Sequence, residues 1–318
     1  MLHHSHTSIF RGLRLMIPAL MGILSGCDHK DLLIDEPAIL NPLITVSYDW
    51  VKTPYTLPNG MANIFYPVGH DPGSYWRSDF RPEGGMVRMP GGEYIAVTFN
   101  NDTEIVRFSG IDAISGFIFH TPPVDTGNLA ADQLPFPPQR LYRQPDRMWS
   151  DTLRDINILS TSDRDSVSFH PRVITRDYHI EMTDIVNLQS ALRYYAVISD
   201  LSASYSPELQ QPAGDAVCMG GFMSPMDSST IISTVTSFGM SPRSQKCRLA
   251  VYMWLADGAK KMYQYDVTDQ IKEAPDSMNL VIRVKGPELP YIKPDQGDGG
   301  GGGLDIGIDD WEFVEIEL

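Results

Sequence analysis

The sequence predicts a mainly β protein made of two tandem antiparallel β-sandwich domains. Three observations carry that reading. From residue 43 onward the chain runs in short alternating apolar and polar stretches broken by Pro, Gly, Asn and Asp, as expected of half-buried strands and their turns. Helical periodicity is thin, with a single good candidate. At 318 residues, 42% hydrophobic and 20% charged, the chain is long for one domain and comfortable for two, and it is neither disordered nor fibrous in composition.

The first 26 residues stand apart from that pattern. Residues 1–14 carry Arg11 and Arg14 and no acid, residues 15–23 (LMIPALMGI) are apolar, and small residues follow, which is the layout of a signal peptide. A nine-residue run is too short to span a bilayer, which takes about 20 residues. Leu24-Ser25-Gly26-Cys27 resembles the lipobox of bacterial lipoproteins: an aliphatic residue, two small residues and a cysteine. The resemblance implies that the Cys27 thiol receives a diacylglyceryl group, that the chain is cut just before it, and that the new amino group takes a further acyl chain such as palmitate. Each buried methylene contributes about 0.8 kcal/mol, so several chains anchor stably where one binds marginally. The mature protein is then held at a membrane without spanning it, and losing Arg11 and Arg14 moves the net charge from −15 to −17.

Residues 27–42, polar then mixed with two prolines, suit a tether. An N-terminal sandwich is expected over 43–180 and a C-terminal one over 181–318. In LITVSYDW, Ile44, Val46 and Tyr48 share one face. GEYIAVTFNNDTEIVRFSG reads as two strands joined in a hairpin at Asn100-Asn101-Asp102, residues that tolerate positive φ. Further strands are expected at GFIFH, SVSFHPRVITRDYHIEM, STIISTVTSFGM, CRLAVYMWL, KMYQYDVT and LVIRVKG. The helix candidate is 187–201, where Leu188, Leu192 and Tyr195 recur at helical spacing behind Asn187 as a cap. The Pro-rich stretch 120–140 reads as a surface loop. After a Gly-rich linker at 297–303, Leu304, Ile306 and Ile308 share one face with Val314 and Ile316, but Asp310 and Glu312 interrupt it while Trp311 and Phe313 take the other. Such a flip predicts a bend or two strand pieces.

The acidic balance excludes a phosphate-neutralising face, so nucleic acid is not an expected partner. HExxH, GxSxG, GxxxxGK[ST] and CxxC are all missing, so no cofactor and no catalytic residue is nominated. Asp177, His179 and Glu181 alternate on one strand face. At about 3.3 Å rise per residue, neighbours two apart are too widely spaced for one tight metal site, and a solvated face is expected. GGGGLDIG at 300–307 has Asp305 where a calcium-binding β-helix repeat has its aspartate, but it occurs once and lacks the large apolar residue at Gly307. Cys218 and Cys247 are compatible with a disulfide in an exported chain and equally with two buried thiols. Trp76 and Trp149, in loop-like surroundings, are the candidates for a glycan-stacking platform, although buried anchoring tryptophans are commoner.

The order of features resembles the Bacteroidetes-type fimbrillin-like lipoproteins related to minor fimbrial subunits and anchors. It runs from the lipobox and CDHKDL through ITVSYDW, MANIFYP and NLQSALRYYAVISDLSASYS to GLDIGIDDWEFVEIEL. The resemblance implies two transthyretin-like β-sandwich domains, outer-membrane attachment through acylated Cys27, and a role in fimbria anchoring or assembly and in adhesion. Some members assemble by exchanging β-strands. Here Leu304, Ile306, Ile308, Trp311, Val314 and Ile316 would form the donor strand, although pairing within the chain has the higher effective concentration. Polymerising members carry an arginine-directed cut that opens a groove. Neither Arg77 nor Arg81, in a loop-like stretch, is marked as one, which favours an anchor or surface accessory protein. Asp28 and Asp31 partly match the acidic stretch that directs surface display in related organisms.

Overall fold

Alternation in the sequence becomes strand after strand in the computed structural model, which describes residues 41–50, 54–124, 140–159, 165–293 and 311–315. The first strands are β1 (Leu43–Tyr48), β2 (Met61–Pro67), β3 (Trp76–Phe80), β4 (Gly85–Arg88), β5 (Gly92–Asn100), β6 (Arg107–Ser109), β7 (Ile118–His120) and β8 (Trp149–Ile158). Next come β9 (Asp165–Phe169), β10 (Arg172–Val173), β11 (Arg176–Thr183), β12 (Ala191–Ser206) and β13 (Gln211–Phe222). The chain continues through β14 (Ser224–Pro225), β15 (Ile231–Ser237), β16 (Arg248–Leu255), β17 (Lys260–Asp266), helix α1 (Thr268–Lys272), β18 (Asn279–Lys285) and β19 (Trp311–Glu315).

Four sheets result. Strands β4-β1-β9 form one, β10-β8-β5-β2-β3 a second, β14-β15-β11-β18 a third, and β19-β17-β16-β12-β7-β6 a fourth, in which β13 also pairs with β12. The first two sandwich a core of Ile44, Val46 and Phe169 against Phe65, Tyr94 and Ala96. The other face of β2 and β5 packs Ile64, Val97 and Phe99 on Phe117, Phe119 and Tyr205, which explains why MANIFYP is buried along nearly its whole length. The largest core lies between the third and fourth sheets, with Tyr178, Ile180, Ile231 and Ile282 facing Ile198, Leu249, Val251 and Tyr265. A smaller cluster, including Leu141, Tyr195, Val197, Tyr252 and Trp254, covers the far side of the fourth sheet. β11 runs across residue 180, and β7 pairs with β12 at Phe119↔Tyr205, so hydrogen-bonded sheet joins residues on both sides of that position.

Most pairings are antiparallel, as expected, but among the described residues three strand pairs are parallel: β1 with β9, β11 with β18, and β17 with β19. Each joins strands far apart in sequence, where a long crossover leaves the direction of return open and no turn residue records it. The hairpin expected at Asn100-Asn101-Asp102 is not formed. β5 lies between β2 and β8, while β6 pairs with β7 in another sheet. Asp102 holds the exit instead, accepting the Asn59 N–H at 2.7 Å and the Asn100 Nδ2 at 2.9 Å.

The expected helix at 187–201 is also replaced. Leu188–Ser190 makes one 3-10 turn, and the rest is the long strand β12. Its two phases are both apolar because both faces are covered: Tyr194, Ala196 and Ile198 enter the main core, and Tyr195 and Val197 the outer cluster. Double-sided burial hides a period of two, and Leu192, one of the residues at helical spacing, is 65% exposed. Asn187 adopts left-handed backbone at φ 60° and donates from Nδ2 to the Leu289 carbonyl at 2.8 Å without capping a helix.

Candidate functional site: a sheet edge closed by the terminal strand

Leu24, Ser25, Gly26 and Cys27 lie outside the described residues, as do Leu304, Ile306, Ile308, Ile316 and the Gly-rich linker. The remaining donor-strand candidates, Trp311 and Val314, belong to β19, and β19 pairs inside its own chain. Its register on β17 runs from Lys260↔Trp311 to Gln264↔Glu315. Val314 packs on the main core, and Lys261 Nζ bonds the Glu312 carboxylate at 2.9 Å. Burial, with the Glu312 charge adding to it, pushes the facing Tyr263 hydroxyl up to about 12. This five-residue segment therefore completes the edge of the fourth sheet.

Cys218 and Cys247 are both reduced and buried, and they sit in different apolar clusters, so the disulfide alternative is not the one adopted. Burial pushes the Cys247 thiol up to about 12 and raises that of Cys218 as well. Folded pKa values above the unfolded one mean that this contribution to stability is full below the ordinary thiol pKa and declines as pH rises above it. A maleimide added to the native protein near neutral pH should label neither. After unfolding without reductant both should react; protection that persists in the unfolded chain would instead reveal a bridge.

The face carrying Asp177, His179 and Glu181 engages each residue separately. Asp177 pairs with Arg147 Nη2 and with the Thr236 hydroxyl, each at 2.8 Å. His179 Nδ1 lies 3.0 Å from Thr234 Oγ1, and Arg283 Nε donates to Glu181 at 2.7 Å. Among the described residues no group of three His, Cys, Asp or Glu is placed to hold a metal ion.

The two tryptophans do not form a platform, and their loop-like surroundings are strands. Trp149 starts β8, is 2% exposed, and meets Trp50 edge-on at 5.6 Å. Trp76 starts β3 and packs edge-on against Tyr94 at 5.8 Å. Arg77 likewise lies in β3 and grips Asp79 through two bonds at 2.9 and 3.0 Å, while Arg81 bridges Gly84 in the turn to β4. Proximity to Gly, Pro and charged residues makes these stretches look like loops, whereas β3 is an edge strand with its turn and β8 lies inside its sheet between β10 and β5.

Among the described residues, four sheets, a long strand buried on both faces and a parallel strand β19 on the edge of the fourth define the class, a β-sandwich protein. The chain belongs to the family described as Domain of unknown function (DUF5119), whose model matches residues 26–218. It is 28% identical over 137 residues to a candidate fimbrium anchoring subunit, Fim4B, of Bacteroides ovatus. That match takes in 41% of this chain and only 38% of the relative's length. A crystal structure of a candidate adhesin from Bacteroides ovatus superposes with a TM-score of 0.64 at 19% identity, covering 83% of this chain and 99% of the other. The fimbrial anchor protein Mfa2 of Porphyromonas gingivalis gives a TM-score of 0.53 at 10% identity, covering 76% and 90%. At those identities the two structures establish a shared fold, the one that the sequence resemblance implied.

Proposed function

We propose that this chain is an outer-membrane lipoprotein, held by acyl chains on Cys27, that anchors or helps assemble a surface fimbrium and so serves adhesion without catalysis. The observation carrying the reading is the sequence relation to a candidate fimbrium anchoring subunit. The lipobox Leu24–Cys27 supports the membrane attachment, and the family match beginning at Gly26, beside Cys27, agrees with a mature chain that starts there. Fimbrial subunits are the partners in this reading, met at sheet edges by strand addition, where main-chain hydrogen bonds supply affinity. Residues 43–180 and 181–318 are kept in this reading as the two sandwich domains, joined through β11 across residue 180 and through β7 on β12. Because β19 is already paired with β17, the chain is read as a non-polymerising anchor that completes its own edge. The glycan-binding alternative, on Trp76, Trp149 or neighbouring tyrosines, is the less favoured reading, since Trp149 is buried and Trp76 packs edge-on against Tyr94.

Cys27→Ala tests both halves of the proposal. The variant should move from the membrane pellet to the soluble fraction, and fimbriae should then be shed into the medium. Retention in the pellet overturns the lipid anchor; a soluble variant with fimbriae still attached to cells overturns the anchoring role.

A further inference from the structure

β18 is the last strand of the third sheet, and side chains occupy its outward side. The Asp177 N–H donates to the Met278 carbonyl and the Gly286 N–H to that of Thr183, so the even-numbered positions bond toward β11. Parallel pairing then turns the peptide groups of Asn279, Val281, Arg283 and Lys285 away from β11. Gln270, on α1, meets Arg283 twice: its Nε2 donates to the Arg283 carbonyl at 3.0 Å, and its Oε1 accepts the Arg283 N–H at 2.9 Å. The Asp276 carboxylate takes the Asn279 N–H at 3.2 Å, and the Tyr265 hydroxyl donates to the Lys285 carbonyl at 2.9 Å. A primary amide that both gives to and takes from one residue reproduces the two bonds exchanged by a hydrogen-bonded antiparallel pair. Chemically, Gln270 stands where a neighbouring strand would be.

We propose that Gln270 is an edge guard, occupying the bonding positions through which β18 would otherwise pair, antiparallel, with β18 of a second copy of this chain. The segment NLVIRVK has neither Pro nor Gly and is rich in β-branched residues, the composition for which an open edge is a liability. A second copy is the occupant its charges fit. Antiparallel pairing centred on Val281 sets Arg283 opposite Asn279 and Lys285 opposite Ser277. The basic end of each strand would then lie beside the acidic flank of the other, where Asp269 and Glu273 line a groove of about 430 Å³ along the edge. Val281, 40% exposed, is the centre of that pairing.

Sedimentation velocity over a concentration series tests this on the full chain in a Cys27→Ala background, so that acyl chains do not drive association. Gln270→Met keeps length and helix propensity but removes both bonds. It should lower the concentration at which dimers form by about tenfold or more. Gln270→Ala, which also vacates the space, should do at least as much, and either variant that folds carries the test. Adding Val281→Pro should restore the parental behaviour, because proline is tolerated where the N–H points off a sheet edge and blocks pairing there. Folded Gln270 variants that dimerise no more than the parent overturn the guard, and association that survives Val281→Pro overturns the β18 interface.

Discussion

Phe119→Ala is expected to destabilise the protein by about 3–5 kcal/mol, the range for truncating a buried phenylalanine in a core that cannot collapse around the hole. Phe119 is fully buried and lies among Phe99, Phe108 and Phe117 at centroid distances of 5.1–5.4 Å, with Tyr205 stacked at 6.1 Å. It sits on the three-residue strand β7, between β6 and β12, so its ring is also what seats the second sheet on the fourth. Neighbours belong to separate strands held by their own ladders, which limits relaxation into the gap. Urea unfolding of the variant measures the loss; a change below about 1 kcal/mol would mean that the site repacks and the junction is soft.

Arg147→Ala is expected to cost about 3 kcal/mol, the low end for removing one member of a buried ion pair, because the guanidinium is 32% exposed while the Asp177 carboxylate is only 8% exposed. Arg147 also lies over the Tyr55 ring at 3.5 Å, and Tyr55 bonds Asn279 at 2.6 Å, so truncation loosens the contact of residue 55 with the third sheet. Left behind, Asp177 would keep the Thr236 hydroxyl and lose its counter-charge. The double variant Arg147→Ala, Asp177→Asn should therefore be more stable than Arg147→Ala alone. A double-mutant cycle with no coupling would show that the cost comes from lost packing on Tyr55 rather than from a stranded charge.

How much of this was legible in the sequence depended on whether a strand has one buried face or two. β1, β15, β17 and β18 were readable because polar residues mark their outer face, as in NLVIRVK with its alternating burial. β12 was not, since covering both faces removes the alternation and left a chance helical spacing as the strongest local signal. Parallel partners were hidden for a related reason: a turn writes its geometry into Gly, Asn or Pro, whereas a crossover does not. The lipobox-like Leu24–Cys27 is the reverse case, a pattern carried by the sequence alone and lying outside the described residues. Gln270 carried no signal at all, for its role exists only once α1 is laid against a strand 13 residues further on.

The placement of β1 bears on how the fold would respond to a pull on its first described strand. β1, the first described strand, is the middle strand of its sheet, paired at four positions with β4 and at five with β9. A strand at an edge can be peeled off one bond at a time, but a central strand has ladders on both sides that must yield together. Tension applied at β1 is thus spread over two rows of hydrogen bonds at once, so this strand is set to resist pulling as a unit and not bond by bond.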